Sequence, residues 1–488
     1  MLRRTRLHGS IAVLLLSTLS LSLTGCSVNP ATGKQQLNLY SEAEEIEMGK
    51  QADEEIVSSV GLYEDPELQA YVEDLGQQIA ASSERPHLPW SFKVVDDPAV
   101  NAFALPGGYV YITRGLLTHL ESEAELVAVL GHEVGHVTAR HGVNQASKQA
   151  LAMAGVGIGV AVFVDPDLED LAGIAAGLGM SLLFLKYGRD DERQADDLGL
   201  RYVVRTGHDP RQMPELFSVL EGVEKVAGTG RLPNWLSTHP NPGARRERIQ
   251  KEVAALQGDF SQAVVNRDGY LRHLDGAVFG DNPRNGYFAG NAFLHPELRF
   301  QIEFPEGWET ANETTSVSAS PPGGNATVQV SLSEKGTPDE AEDALFSEEG
   351  VTRGKSWEKR VHGLPAQWDR FDYVDGETKL HGTVAFVQHE GKVFQLLAMA
   401  TPEEWTDNQT AMEEALATFS QLDDPEALKA QPNRLKLVQI RKEMTLEEFN
   451  RQYPSVVEMP MLALINHVQP ADKIPAGSLV KRVVKAGR

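Results

Sequence analysis

Residues 129–141 read VLGHEVGHVTARH, two histidines four positions apart with a glutamate directly after the first. Positions i and i+4 of an α-helix lie one turn apart on the same face. A helix over this stretch therefore aims His132 and His136 at one point. Neutral imidazole presents a lone pair at the roughly 2.0–2.1 Å that zinc prefers, so the pair can chelate a single ion. Glu133, beside the first ligand, can reach a water on that metal and act as its general base. Gly135 leaves room on the crowded side of the helix.

So short a motif also arises by chance, and a third ligand carries weight. The metzincin pattern would supply it as a His three residues after a Gly that follows the second His by three, but those positions are Gly142 and Ala139. His141 falls about 140° round the helix from His136 and reads as a structural histidine. Downstream, YGRDDERQADDLG (187–199) places Glu192 and Asp196 four apart. Glu192 could bind zinc while Asp196 orients a histidine ligand through its other ring nitrogen. Spacing alone leaves equal room for a solvated acidic helix face.

The chain has 488 residues, which predicts two or three domains. A net charge of −24 disfavours nucleic acid, whose phosphates need clustered Lys and Arg. The N-terminus pairs Arg3, Arg4 and Arg6 with the apolar run 11–23, too short to span a bilayer comfortably and typical of a secretory signal. The run closes on LTGC, which resembles a bacterial lipobox. Cys26, the sole cysteine, would be acylated and become the mature N-terminus. Ser27 in place of Asp favours the outer membrane under the lipoprotein sorting rule. The expectation is an exported bacterial lipoprotein facing the periplasm.

The signal peptide takes residues 1–25, and a polar tether spans 26–40. Ser41 and Glu44 form a capping box that opens a helix. A second helix runs from about Pro66 to Ala81, WSFKVVDD makes a strand, and residues 101–117 make loop, strand and helix start. The motif helix covers 121–140. Two apolar runs, 150–164 and 171–185, suggest a helical hairpin near the active site, with a membrane-dipping hairpin as the alternative. Further helices follow at 189–206 and 211–227, then a loop and an amphipathic helix. After about 259 short alternating strands dominate, giving an α+β module over 286–425.

Four ordered segments, NAFALPGGYVYITRGLL, SEAELVAVLGHEVGHVTARH, YGRDDERQADDLG and STHPNPGARRERI, resemble the gluzincin zinc metallopeptidase family that includes HtpX, the CAAX prenyl proteases and BepA. The resemblance covers about residues 41–255 and implies a peptidase domain over 41–258, mainly α with a small edge sheet. It implies one Zn2+ per chain held by His132, His136 and Glu192, with Glu133 as base and Asp196 behind the ligands. Gln194 stands where many members carry Glu. His239, in STHP, matches a family histidine near the metal. It would donate to the oxyanion of the tetrahedral intermediate or sit on zinc as a latch, with Arg245 assisting. The strand GGYVYI is expected at the sheet edge, where Gly107, Gly108 and Tyr109 would receive an extended peptide.

Residues 434–484 resemble a LysM domain, which opens peptidoglycan contact, although Glu443-Met444-Thr445 replaces the usual Gly-Asp-Thr. LRFQIEFPEGW resembles the start of PsbP-like modules. The expected function is a zinc-dependent endopeptidase of cell-envelope quality control, with unfolded or misassembled envelope proteins as substrates. The competing reading is a latched or weakly active, chaperone-like scaffold lipoprotein.

Overall fold

The computed structural model describes residues 26–153, 187–227, 239, 241–312, 315–375 and 378–485. The signal peptide expected at 1–25 and the apolar pair beyond Met153 lie outside the described residues. Among the described residues no helix is long and apolar enough to cross a membrane. The chain divides into two compact units, residues 1–277 with 435–484, and residues 278–434 with 485–488.

In the first unit the Ser41 hydroxyl accepts from Glu44 N and the Glu44 carboxylate from Ser41 N, closing the capping box of helix Glu42–Ser59. Asp65 caps helix Pro66–Ser82 in the same way. Ser122 caps the central helix Glu123–Thr138, every residue of which is buried. A helix that is apolar nearly all round belongs inside. Arg140, at φ 58°, breaks it, and helix His141–Met153 starts in a new direction.

Helix Arg189–Arg205 packs across the central helix, and small residues set how close it comes. A Cβ on Gly135 would meet the Ala195 carbonyl at 3.0 Å, and one on Gly131 would meet that of Gly199 at 3.3 Å. This near-backbone contact carries Glu192 over the two histidines.

The sheet corrects two sequence expectations. Ala102–Leu105, expected as loop, is a strand. Tyr109–Thr113, expected at the edge, is the middle strand, parallel to Ser91–Val95 and antiparallel to Ala102–Leu105. Val110, Tyr111 and Ile112 are all buried, as in a strand covered on both faces. Among the described residues the outer strands of this sheet are Ser91–Val95 and Ala102–Leu105. Gly107, at φ 84°, approaches the cap end of helix Glu42–Ser59, since a Cβ there would meet Ile46 Cα at 2.8 Å. Gly107 thus serves a close helix contact, and Gly108, at φ 110°, continues the turn against Trp90.

The expected tether at 26–40 is also corrected. Cys26–Val28 and Gln35–Leu37 pair as an antiparallel hairpin. Its polar side chains have fixed partners: Asn38 Nδ2 donates to Ser27 Oγ at 2.6 Å, and Asn144 Nδ2 donates to Leu37 O at 2.6 Å.

The segment expected as a separate unit at 434–484 packs, from residue 435, with the first unit. It contains helices Leu446–Gln452 and Met459–Ile465 followed by strand Leu479–Lys485. Lys481, fully buried, pairs with Glu121 at 3.1 Å and donates to Leu120 O at 2.8 Å. His467 meets His119 O at 3.0 Å. The second unit is α+β, as expected. Seven antiparallel strands form one sheet, ordered 309–312, 316–320, 326–332, 392–400, 378–389, 366–375, 351–358. Helix Pro402–Ala417 packs on it over a core that includes Phe300, Phe394 and Phe419.

Candidate metal centre

Among the described residues, one group of side chains can hold a metal: His132, His136, Glu192 and His239. One ligand atom from each lies within 4.8 Å of all the others, and all four residues are buried. His132 Nε2 is 3.1 Å from His136 Nε2 and 3.3 Å from His239 Nδ1. Glu192 Oε1 is 2.8 Å from His239 Nδ1 and 3.5 Å from His136 Nε2. Three imidazoles and one carboxylate converging on one point is the nitrogen and oxygen donor set that suits zinc.

The charge states suit a cation. Burial drives His136 well below the usual imidazole range, with the neighbouring His132, His141 and His239 adding to it. Burial also lowers His132, and pushes His239 down to about 4 against the pull of Glu133. Neutral rings keep a lone pair for a metal. Burial raises Glu192 to about 7, with Arg245 opposing.

His132 Nδ1 is 3.0 Å from Asp196 Oδ1, so its Nδ1–H is committed and Nε2 is left facing the cluster. Burial alone would raise Asp196, but Arg245 and His132 hold its carboxyl well below the usual carboxylate range. Arg245 Nη2 meets Asp196 Oδ1 at 2.6 Å, Arg245 Nη1 meets Glu192 Oε2 at 2.7 Å, and Arg248 reaches Asp196 Oδ2 at 3.0 Å. Arg245 thereby holds both carboxylates in register with the histidines. Glu133 is buried beside His132, its Oε1 3.8 Å from His239 Nε2.

Beside His136 opens a cleft lined by Ala104, Leu105, Pro106, Gly142 and Tyr187, so the outer strand Ala102–Leu105 borders the site. The structure thus brings His132, Glu133, His136, Glu192, Asp196, His239 and Arg245 together. Gly107, Gly108 and Tyr109 belong to the turn and to the middle strand. Cys26 lies in the first strand of the N-terminal hairpin. His141, expected as structural, stays outside the metal-capable group, and its Nδ1 is 3.0 Å from His136 Nδ1. The helix break at Arg140 puts it there, and a continuous helical wheel has no way to show that.

Residues 66–253 match the family described as Peptidase family M48. The mitochondrial metalloendopeptidase OMA1 of Arabidopsis thaliana is 37% identical over 180 residues, 36% of this chain and 34% of that protein. The putative beta-barrel assembly-enhancing protease of Vibrio cholerae is 33% identical over 196 residues, 38% of this chain and 40% of that protein. The OMA1 of Schizosaccharomyces pombe is 30% identical over 232 residues, 47% of this chain and 66% of that protein. The chain therefore spans between a third and two thirds of the length of these relatives.

Proposed function

We propose, from the match of residues 66–253 to peptidase family M48, that the chain is a zinc-dependent endopeptidase acting on proteins of the bacterial cell envelope. The observation that carries this reading is the buried cluster of His132, His136, Glu192 and His239 with Glu133 beside it. Zinc, when bound, supplies a Lewis acid that polarises the scissile carbonyl and eases ionisation of water. Glu133 takes the proton of the attacking water and passes it to the leaving amine. Asp196 and Arg245 hold the ligands in place for that step. A peptide strand added along Ala102–Leu105 would enter beside His136.

His239 supports a latched resting state. Its Nδ1 lies among the ligand atoms, 2.8 Å from Glu192 and 3.3 Å from His132. A fourth protein ligand fills the position that catalysis needs open. Once withdrawn from the metal, the same ring could donate to the oxyanion of the tetrahedral intermediate.

Location and substrate follow from other features. The lipobox-like LTGC supports an acyl anchor at Cys26, and Ser27 after it supports an outer-membrane location facing the periplasm. The relatives named beta-barrel assembly-enhancing proteases support unfolded or misassembled envelope proteins as substrates. Two helices between strands 433–439 and 479–485, with the short pair 444–445 and 473–474 beside them, support a LysM-like module, and retention on peptidoglycan sacculi tests its contact with glycan.

The test uses the mature protein with Cys26→Ser, comparing wild type with Glu133→Gln. Both should hold about one zinc per chain, and only the wild type should cleave an unfolded model protein, with a deficit of roughly 10²–10⁴ in the variant. His239→Ala should keep zinc and change turnover. Zinc bound by wild type with no cleavage, even in His239→Ala, would leave the scaffold reading in place.

A further inference from the structure

The hairpin at the mature N-terminus is bonded into the support of the metal centre. The central helix ends at Ala139, whose carbonyl belongs to the last turn and has no onward helical partner. Two hairpin amides take it: Asn29 Nδ2 and Gln36 Nε2 each donate to Ala139 O at 3.1 Å. Asn29 Nδ2 also lies 3.2 Å from Gln194 Oε1, and Asn29 is buried. Gln194 Oε1 is 2.7 Å from His141 Nε2, and His141 Nδ1 is 3.0 Å from His136 Nδ1.

The donors in this chain have one consistent direction. His136 Nε2 faces the ligand cluster, so a metal takes its lone pair and the ring proton sits on Nδ1. That N–H needs an acceptor, and His141 Nδ1 is the atom at hand. His141 then carries its proton on Nε2 and donates it to Gln194 Oε1. Asn29 donates to the same oxygen from the opposite side. An amide oxygen, with two lone pairs, accepts both. Asn29 Nδ2 shares its N–H groups among Gln36 Oε1 at 3.0 Å, Ala139 O at 3.1 Å and Gln194 Oε1 at 3.2 Å, while His136, His141 and Gln194 each fill one consistent role.

We propose that His141 is a positioning residue for the ligand His136, and that the hairpin 26–37 steadies it through Asn29 and Gln194. The proposal rests on the zinc-site reading above. Ligand-orienting partners of this kind typically change metal affinity by about 10–100-fold when removed. The end of the chain that carries the proposed anchor would thus set how firmly zinc is held.

The test measures zinc affinity of the mature Cys26→Ser protein by chelator competition. His141→Ala should lose roughly 10–100-fold, and Asn29→Ala a smaller factor in the same direction. His141→Asn, which keeps an acceptor where Nδ1 stood, should recover most of the His141→Ala loss. Cobalt(II) in place of zinc should show altered d–d absorption in His141→Ala. Thermal midpoints with and without zinc guard against a folding defect. Midpoints lowered equally in both forms, with unchanged zinc affinity, would mark a merely structural contact and overturn the proposal. So would variants that bind zinc and cobalt as the wild type does. A wild type that binds no zinc would bring down the metal centre itself, which is a distinguishable result.

Discussion

The central helix carries a buried polar cluster at each end, and the two are built on opposite principles. At its start, Glu121 meets Arg267 at 2.5 Å and Lys481 at 3.1 Å, and Glu125 lies 3.6 Å from His467. Arg267 and Lys481, cations supplied by the chain itself, answer the Glu121 carboxylate. At its far end, imidazoles driven neutral by burial turn nitrogen toward nitrogen, with His132 Nε2 and His136 Nε2 3.1 Å apart. Neutral nitrogens aimed at one point are satisfied by a cation between them. The first cluster fastens one stretch of chain to another. The second is a seat for an ion, and the same helix serves both because its two ends face different neighbours.

Removing a cation from the first cluster is the largest way to break this comparison. Lys481→Met leaves Glu121 with Arg267 alone and takes a donor from Leu120 O and Thr118 O. Breaking a buried pair on one side typically costs about 3–5 kcal/mol. Denaturant unfolding should register that loss while zinc affinity stays at the wild-type value. A cost below about 1 kcal/mol would show that apolar packing, and not the ion pair, holds residues 435–484 in place.

The second cluster should answer in the other currency. In Asp196→Asn the acceptor that fixes the His132 Nδ1 proton becomes an amide, and Arg245 and Arg248 lose their shared carboxylate. Zinc affinity should fall by about 10–100-fold, read by chelator competition. An Asp196→Asn variant that binds zinc like the wild type would leave the ligand geometry to packing alone.

How much of this was legible beforehand follows the range of each signal. The capping box at Ser41 and Glu44, the proline-opened helix at Pro66 and the i, i+4 pair at His132 and His136 are local patterns, and the helices form where they point. The gathering of Glu192, Asp196, His239 and Arg245 at those histidines was carried by family resemblance, because spacing in an acidic helix cannot separate a ligand from a solvated face. Strand order was misread. Sequence shows that YVYIT is a strand, but which neighbours flank it depends on partners at 91–95 and 102–105. Even so, its unbroken apolar run was a usable sign of a middle strand. The hairpin at 26–37 was read as tether because Asn and Gln look like linker composition. Their partners, Ala139 O and Gln194, lie more than 100 residues away.

The smallest expected effect sharpens the contrast through pH. Burial pushes Glu125 up to about 8 from an ordinary value of 4.5, with Glu121 and Glu215 adding and Lys481 opposing. A raised folded-state pKa contributes stability that is full below the ordinary value and is lost as pH climbs through 8. Burial pushes His119 and His467 down to about 4 from 6.5. Their contribution is present above 6.5 and is lost as pH falls through 4. Stability of the first unit should therefore pass through a maximum between these limbs. Glu125→Gln keeps the shape without the charge, so it should make the alkaline limb shallower, with Glu192, raised to about 7, left to supply the rest, and leave the acidic one. The measurement is the thermal midpoint of the metal-free protein from pH 4 to 9, where the two proteins should part by a few degrees above pH 7. A variant that falls as steeply as the wild type on the alkaline side would move the titrating group away from this dock.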